Sequence, residues 1–287
     1  MTKGDIYHKQ VIEKILTYGT EDENPRPKYK DGTPAHTLSY NVELLKYNLD
    51  DGDSPFITLR PIAWKTAIKE ILWIWKDESN DLSVLNDKYG VHYWNNWALN
   101  DNTIGKCYGH TVSKYHLMTK LLDGLINNPF GRRHIASLWQ EEEFSNPEEY
   151  ALNPCCFMIM CNVRKAYPTN KLDMTLLQRS SDYAVSSTIN EVQYIALMTA
   201  IARHCDLRLG QFSHFIQNVH VYDRHIEAAH ELMRRQPIRC NPKIVLNPDK
   251  HNFYDIEPED FTVEDYPLDI IKTKNPQIDI FRDDIAI

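Results

Sequence analysis

Five side chains that could do chemistry lie in order between positions 155 and 222 of the chain. Cys155 follows a proline, Arg179 lies in a Gln-Arg-Ser-Ser-Asp run, Asn190 comes shortly afterwards, and His220 and Tyr222 form a His-x-Tyr pair. A thiol can act as a nucleophile, arginine binds phosphate oxygens in pairs, and a side-chain amide can recognise a base edge. These residue types predict a site that modifies a nucleotide.

Cys155 is the candidate nucleophile of this site. A cysteine beside proline at the start of a strand is more often a small buried residue. Arg179 changes that balance, because a nearby guanidinium lowers the pKa of a thiol and raises the thiolate fraction that can attack. The sequence therefore predicts that Arg179 lies close to Cys155 and activates it.

The composition allows such an enzyme without specifying it. The chain has 287 residues, 42% hydrophobic and 25% charged, so it can bury a large core as one domain over residues 1–287, which is favoured over two. The net charge of −8 argues against binding polymeric nucleic acid, since such proteins carry a basic surface. The six cysteines show neither metal-ligand spacing nor a disulfide framework, which predicts no metal and reduced thiols in the cytoplasm. The polar N-terminus and the lack of a long apolar run predict neither export nor a membrane span.

Hydrophobic periodicity predicts helices interleaved with strands. The expected helices are His8–Tyr18, Ile62–Trp75, Glu191–Cys205 and Arg224–Arg235, the last with Asp223 as its N-cap. The expected strands are His134–Leu138, Phe157–Val163, Leu172–Leu177 and Phe212–Val221, with a turn at 167–170 between the second and third. This pattern predicts an α/β or α+β fold in which helices cover one large sheet.

Two features of the first half allow more than one interpretation. Glu70 is the exception in the apolar helix Ile62–Trp75, and a buried carboxylate has to be paired, hydrogen-bonded or functional. From this helix alone, structural pairing is favoured over catalysis. The aromatic run that contains Trp94 and Trp97, with Tyr108 beyond it, fits a pocket wall and a small hydrophobic cluster equally well.

Together these motifs resemble the folate-dependent thymidylate synthase family over nearly the whole chain. The resemblance rests on Glu70-Ile71-Leu72-Trp73, Trp94-x-x-Trp97, Tyr108-Gly109, Arg132-Arg133-His134-Ile135, Pro154-Cys155, Gln178-Arg179-Ser180-x-Asp182, Asn190 and His220-x-Tyr222. It implies an α+β fold with a twisted mixed sheet and long buried helices, packed sheet to sheet as a homodimer. It also implies that dUMP and 5,10-methylenetetrahydrofolate react to give dTMP and dihydrofolate.

The resemblance also implies a role for each site residue. Cys155 would add to C6 of dUMP, Arg179 would activate it, and Glu70 and Tyr108 would move protons. The implied dUMP contacts are Arg26, Arg179 and Ser180 from one subunit, Arg132 and Arg133 donated across the dimer interface, Asn190 at the base, and His220 and Tyr222 at a sugar hydroxyl. Without the resemblance, the arginines at 26, 132 and 133 would be read as solvated surface charges.

Asn190 is the expected specificity residue, because its amide can accept from uracil N3–H and donate to O4, which cytosine would not satisfy. It could also, or instead, be the N-cap of the helix predicted to begin at Glu191. The implied folate contacts are Asp182 at the pterin, Trp94 and Trp97 beside the reacting methylene, Arg60 at the glutamate tail and the C-terminal residue Ile287 in a closing lid.

Four positions that we expect around the nucleotide pocket depart from the family pattern. They are Met160 in place of glutamine, Ser186 in place of glycine, and Gln217-Asn218 in place of Gly-Asp. They keep open a deoxyuridylate or other pyrimidine nucleotide hydroxymethylase, in which water captures the methylene intermediate. A third hypothesis is a nucleotide-binding or RNA-regulatory protein that has lost turnover, against which the presence of Cys155, Arg179 and Glu70 argues.

Overall fold

The computed structural model describes residues 1–146, 149, 152–284 and 286. Its strands are β1 (Thr20–Glu21), β2 (Thr37–Asn48), β3 (His134–Ser137), β4 (Cys156–Arg164), β5 (Lys171–Gln178), β6 (Ser181–Asp182), β7 (Arg208–Tyr222), β8 (Lys243–Leu246) and β9 (Phe261–Glu264). Its helices are α1 (Lys3–Tyr18), α2 (Trp64–Trp75), α3 (Gly109–Tyr115), α4 (Leu117–Asn127), α5 (Tyr183–His204), α6 (Ile226–Arg234), α7 (Leu268–Lys274) and α8 (Ile280–Asp283). None of these described helices is both long enough and apolar enough to cross a membrane.

One mixed sheet organises the described part of the chain, and it confirms the predicted α+β class. Its strands lie in the order β1-β2-β7-β5-β4-β3, with β6 beside β7, while β8 and β9 pair separately. β4 and β5 are antiparallel across the predicted turn, with Cys161 opposite Met174, whereas β5 runs parallel to β7. The carboxyl ends of β5 and β7 therefore lie at the same edge of the sheet.

α5 is the central helix, and it packs against α2 and against the inner face of β7. All of its residues from 191 to 202 are buried, so it has no solvent-facing stripe. It begins at Tyr183, well before the predicted start, and serine hydroxyls in its first turns donate to carbonyls of the preceding turn. Ser186 Oγ donates to Asp182 O and Ser187 Oγ to Tyr183 O, each at 2.9 Å. Asn190 lies inside the helix, so the N-cap interpretation was wrong.

The other predicted helix starts also differ in detail. α1 begins at Lys3 because Thr2 and Asp5 form a capping box. α6 begins at Ile226, after a short 3₁₀ turn over Asp223–His225. Asp223 is therefore not the N-cap of α6, and its carboxylate accepts from the Tyr29 hydroxyl and from its neighbour's backbone N–H.

His8 is a buried base on α1. Its ring stacks on Tyr183 with centroids 5.3 Å apart, and within the described residues neither ring nitrogen has a hydrogen-bond partner. Burial, helped by the charge of Arg60, lowers the pKa of His8 to about 3. Because the folded state holds His8 neutral, its contribution to stability is complete above the pKa of the unfolded chain, roughly 6.5, and is lost as the pH falls below that value.

We expect this histidine to make unfolding strongly pH-dependent. Between pH 7 and pH 5 the wild-type protein should lose up to ~2 kcal/mol of unfolding free energy through His8 alone. His8→Phe keeps a flat ring against Tyr183 and removes the titration, so its urea midpoint should fall less over this range. Equal pH slopes for the two proteins would contradict the assignment of a neutral, buried His8.

Candidate active site

Cys155 lies immediately before β4, and the main chain holds it beside Arg179. The backbone N–H of Arg179 donates to Cys155 O at 2.9 Å, and guanidinium atom Nη2 lies 3.6 Å from Cys155 Sγ. Nε donates to Pro154 O at 3.0 Å and Nη2 to Asn153 O at 2.8 Å. These bonds fix the guanidinium against the thiol, as the sequence predicted. Within the described part of the chain nothing bonds to Nη1, which is free to bind an anion.

Burial raises the pKa of the Cys155 thiol, while the charges of Arg179 and Arg26 lower it. The net direction is upward, so burial outweighs the two guanidinium groups. The sequence predicted the arginine's effect correctly but not this balance.

Tyr108 contacts the nucleophile from the other side, because its hydroxyl accepts from the backbone N–H of Cys155 at 3.1 Å. The tyrosine has a strained backbone, with φ +48°. The next residue has to be glycine, since a Cβ on Gly109 would lie 1.8 Å from Ser79 O. The ring packs edge-on against Trp94 with centroids 5.6 Å apart. Tight packing thus fixes Tyr108 against Cys155.

Glu70 projects from α2 into a set of neutral donors. Trp94 Nε1 donates to Oε1 at 2.6 Å, and Gln193 Nε2 donates to Oε2. Burial raises the pKa of Glu70, and hydrogen bonds from Tyr93, Trp94 and Gln193 oppose that rise only in part. No cation of the described residues lies within ion-pair distance of Glu70. The carboxyl is thus hydrogen-bonded rather than ion-paired, and its burial favours the protonated form.

Gln193, which sequence reasoning missed, connects Glu70 to Asn190. Asn190 Nδ2 donates to Gln193 Oε1 at 3.0 Å, and Asn190 Oδ1 accepts from Gln178 Nε2 at 3.2 Å. The amide of Asn190 is therefore held in one orientation, with one N–H and one lone pair left over. The available signal was a polar residue within the apolar run of α5.

His220 and Tyr222 lie on one face of β7, as their alternate spacing predicted, with ring centroids 5.3 Å apart. Burial lowers the pKa of His220 to about 4, so the ring is neutral. Asn218 Oδ1 accepts from His220 Nδ1–H at 2.9 Å, which leaves Nε2 as a hydrogen-bond acceptor. Such an acceptor suits a hydroxyl group.

Asp182 is a half-buried residue at the N-terminus of α5, and its Oδ1 atom is buried. Within the described residues its Oδ1 has no hydrogen-bond partner, and burial raises its pKa to about 7. His225 Nδ1, also unpartnered there, lies 3.9 Å from Asp182 Oδ2. An unsatisfied buried oxygen of this kind fits a ligand that brings donors, because leaving it unpaired costs free energy.

The last residues that the structure describes contact Arg224, His225 and Tyr222, close to Asp182. Asp284 accepts from Arg224 at 3.1 Å, and its backbone oxygen accepts from His225 Nε2 at 3.0 Å. Ala286 is buried in a small cluster with Tyr29 and Ala35, and Tyr222 packs against that cluster. The predicted lid residue Ile287, like residue 285, lies outside the described residues.

Comparisons with known proteins decide the family of the chain. A family model described as thymidylate synthase matches residues 6–275. The chain belongs to the thymidylate synthase family. Thymidylate synthases of Streptococcus pneumoniae and Streptococcus mutans are 49% and 47% identical over 268 residues, covering 93% of this chain and 95% of theirs. A solved structure described as thermostable thymidylate synthase A from Bacillus subtilis superposes with a TM-score of 0.86 at 34% identity, with 99% of each chain covered.

The family's remaining implied residues lie in different environments. Arg26 is exposed, but its charge acts on Cys155, and Ser180 is half-buried beside Arg179. Arg132 and Arg133 are exposed immediately before β3. In the described structure neither arginine contacts the Cys155 thiol of its own chain.

Arg60 differs most from the expectation that the family resemblance gave. Its side chain is only 4% exposed, and Nη2 donates to Ala184 O at 3.1 Å and to Val185 O at 2.5 Å. A contact with a folate tail would require the guanidinium to leave these carbonyls. In this structure it anchors the start of α5 instead.

Of the four departures from the family pattern, two contact residues of the candidate active site. Ser186 bonds to the main chain of Asp182, and Asn218 holds His220. Met160 lies between the buried residues Ile159 and Cys161 of β4, so it occupies the opposite, outer face of the sheet. Gln217 is exposed on the same outer face. The expectation that these two positions border the nucleotide pocket was wrong.

Proposed function

We propose that this protein catalyses the reductive methylation of dUMP to dTMP, with 5,10-methylenetetrahydrofolate as the source of both carbon and hydride. The observation that carries the proposal is the thiol of Cys155 held 3.6 Å from Arg179, at a site that also contains Glu70 and the oriented amide of Asn190. The relatives named above support methyl transfer and give no support to the hydroxymethylase alternative.

The covalent step begins at the thiol. Sγ of Cys155 forms a bond to C6 of the uracil and loses its proton, so that C5 becomes nucleophilic and attacks the methylene carbon. In this attack the bond from the methylene carbon to N10 of the folate breaks. C5 then loses its own proton as the bond from the same carbon to N5 breaks, which releases tetrahydrofolate and leaves an exocyclic methylene on the base. Tetrahydrofolate gives a hydride to this carbon and becomes dihydrofolate, and the bond between Sγ and C6 breaks as the C5–C6 double bond re-forms. Glu70 suits the proton transfers because burial raises the pKa of its carboxyl.

The other contacts divide between the nucleotide and the folate. Asn190 presents one acceptor and one donor to the uracil edge, and His220 Nε2 accepts from a sugar hydroxyl. Arg26, Arg179 and Ser180 bind the phosphate, whose two negative charges require fixed cations. The unpaired buried oxygen of Asp182 fits the donor edge of the pterin.

Trapping of the covalent adduct tests this proposal. The protein is incubated with 5-fluoro-dUMP and 5,10-methylenetetrahydrofolate, denatured, and digested for mass spectrometry. We expect one adduct per chain on the peptide that contains Cys155, because fluorine cannot leave as a cation and the reaction stops. A protein that acquires no adduct would contradict the proposal.

The outer face of the sheet supports a sheet-to-sheet homodimer. Leu44, Phe215, Leu177 and Met158 form a row of facing partners across β2, β7, β5 and β4, and Leu44 is 49% exposed. An apolar row that crosses four strands is typical of a protein interface. In such a dimer, exposed Arg132 and Arg133 reach the phosphate of the partner's dUMP.

Complementation between two inactive variants tests this shared site. Arg132→Ala/Arg133→Ala and Cys155→Ala should each be nearly inactive alone. After subunit exchange, a mixed dimer contains one site with both an intact thiol and intact arginines, so an equal mixture should recover about a quarter of wild-type activity. Arg239→Ala, at another exposed arginine, is the control and should remain active. Mixed dimers without recovered activity would contradict donation across the interface.

A further inference from the structure

Glu191 and His214 form a buried acid–base pair that is not among the residues proposed to contact the substrate. His214, on the inner face of β7, is completely buried, and its Nδ1 lies 3.4 Å from Glu191 Oε1 on α5. Tyr47 OH donates to Glu191 Oε2 at 3.0 Å. An apolar core of the same volume is commonly at least as stable as a buried pair. The pair therefore requires an explanation beyond packing.

His214 also contacts the residue that orients Asn190. His214 Nε2 lies 2.8 Å from Gln178 Oε1, and Gln178 Nε2 donates both to Ser180 O at 2.9 Å and to Asn190 Oδ1 at 3.2 Å. The carbonyl of Ser180 accepts only, so the NH₂ group of Gln178 has to face it. The carbonyl oxygen of Gln178 then faces the histidine, and His214 Nε2 has to carry a hydrogen.

Glu191 supplies the condition under which Nε2 carries that hydrogen. If the pair is ionised, both ring nitrogens of His214 are protonated. If it is neutral, the protonated carboxyl of Glu191 donates to Nδ1, and the ring hydrogen resides on Nε2. Burial raises the pKa of Glu191, which favours the neutral form. A neutral His214 beside an ionised Glu191 would carry its hydrogen on Nδ1 and set Nε2 against Gln178 Oε1, acceptor against acceptor, so this form does not fit the observed contact. In the two forms that fit, His214 Nε2–H donates to Gln178 and excludes a flipped amide.

We propose that Glu191 and His214 form a positioning pair that fixes the amide of Asn190 through Gln178, and so sets the preference for uracil over cytosine. The inference rests on the proposed role of Asn190 in reading the base. A flipped Asn190 would offer its NH₂ group to N3–H of uracil, donor against donor, and would match the unprotonated N3 of cytosine instead.

Binding measurements on two variants from opposite sides of the pair test this inference. His214→Phe removes the Nε2 donor but keeps a flat ring, and Glu191→Leu removes the partner of Nδ1 but keeps the side-chain volume. For each variant we measure the Kd of dCMP and the Kd of dUMP by calorimetry. We expect the ratio of the first to the second to fall about tenfold or more below the wild-type ratio. His8→Phe, the same substitution at another buried histidine, should keep the wild-type ratio.

The outcomes separate this inference from the proposed function. A wild-type protein that makes no dTMP refutes the proposed function. A wild-type protein that makes dTMP, together with a folded variant whose ratio of Kd values is unchanged, overturns the inference. An equal loss of affinity for both nucleotides also overturns it, because that result indicates packing alone. Cooperative unfolding shows which variants are folded, and one folded variant is enough for the test. If neither variant folds, Gln178→Met takes their place. This substitution removes the amide between His214 and Asn190, and it should lower the same ratio of Kd values.

Discussion

Cys155→Ala should lower the rate of dTMP formation by about 10⁴-fold or more, because it removes the thiol that forms the bond to C6. The substitution removes only a half-buried sulfur immediately before β4, so the unfolding midpoint should change little. The measurement is kcat from dihydrofolate formation, together with the Kd of dUMP to show that the site still binds its ligand.

The neighbouring thiol provides a matched control. Cys156 is buried, and burial raises the pKa of its thiol well above the usual value. Cys156→Ala should therefore keep kcat within about threefold of the wild-type value, at some cost in stability. Turnover by the alanine variant at position 155, or an adduct on Cys156, would contradict the assignment of the nucleophile.

Glu70→Gln should lower kcat by about 10²- to 10⁴-fold, the usual contribution of a positioned acid–base group. The glutamine oxygen can still accept from Trp94 Nε1, but its NH₂ group then faces the donor Gln193 Nε2, and the side chain can no longer exchange a proton. Formation of the adduct with 5-fluoro-dUMP should persist, because the initial attack uses Cys155. Single-turnover measurements separate the two steps.

A second buried carboxylate provides the control for this variant. Glu43 on β2 is 7% exposed and pairs with Lys14 away from the thiol. Glu43→Gln should lose some stability and leave kcat nearly unchanged. If Glu70→Gln kept full turnover, Glu70 would be only a structural acceptor for Trp94 and Gln193.

Local sequence patterns were sufficient to predict several of the helices and strands and which side chains share a face. The alternation around His220 and Tyr222 placed both on one face of β7, and the apolar run up to Trp75 marked the buried helix that carries Glu70. These predictions held because each depends on residues that are close in sequence. The same signals left the fold class as α/β or α+β, and the family resemblance narrowed it to α+β.

Contacts between distant segments could not be predicted in this way. The link from His214 through Gln178 to Asn190 joins β7, β5 and α5, and its hydrogen-bond directions depend on the orientation of each amide. The outer-face position of Met160 depends on strand pairing. The net rise in the pKa of Cys155 depends on burial, which the neighbouring sequence does not specify.

The most direct test of the central claim is a single incubation of the pure protein with dUMP and 5,10-methylenetetrahydrofolate. Dihydrofolate is followed by its absorbance, and the nucleotide product is identified by mass. We expect dTMP and dihydrofolate in equal amounts, because the folate supplies both the carbon and the hydride. A 5-hydroxymethyl nucleotide with tetrahydrofolate, or no product at all, would contradict the proposed reaction.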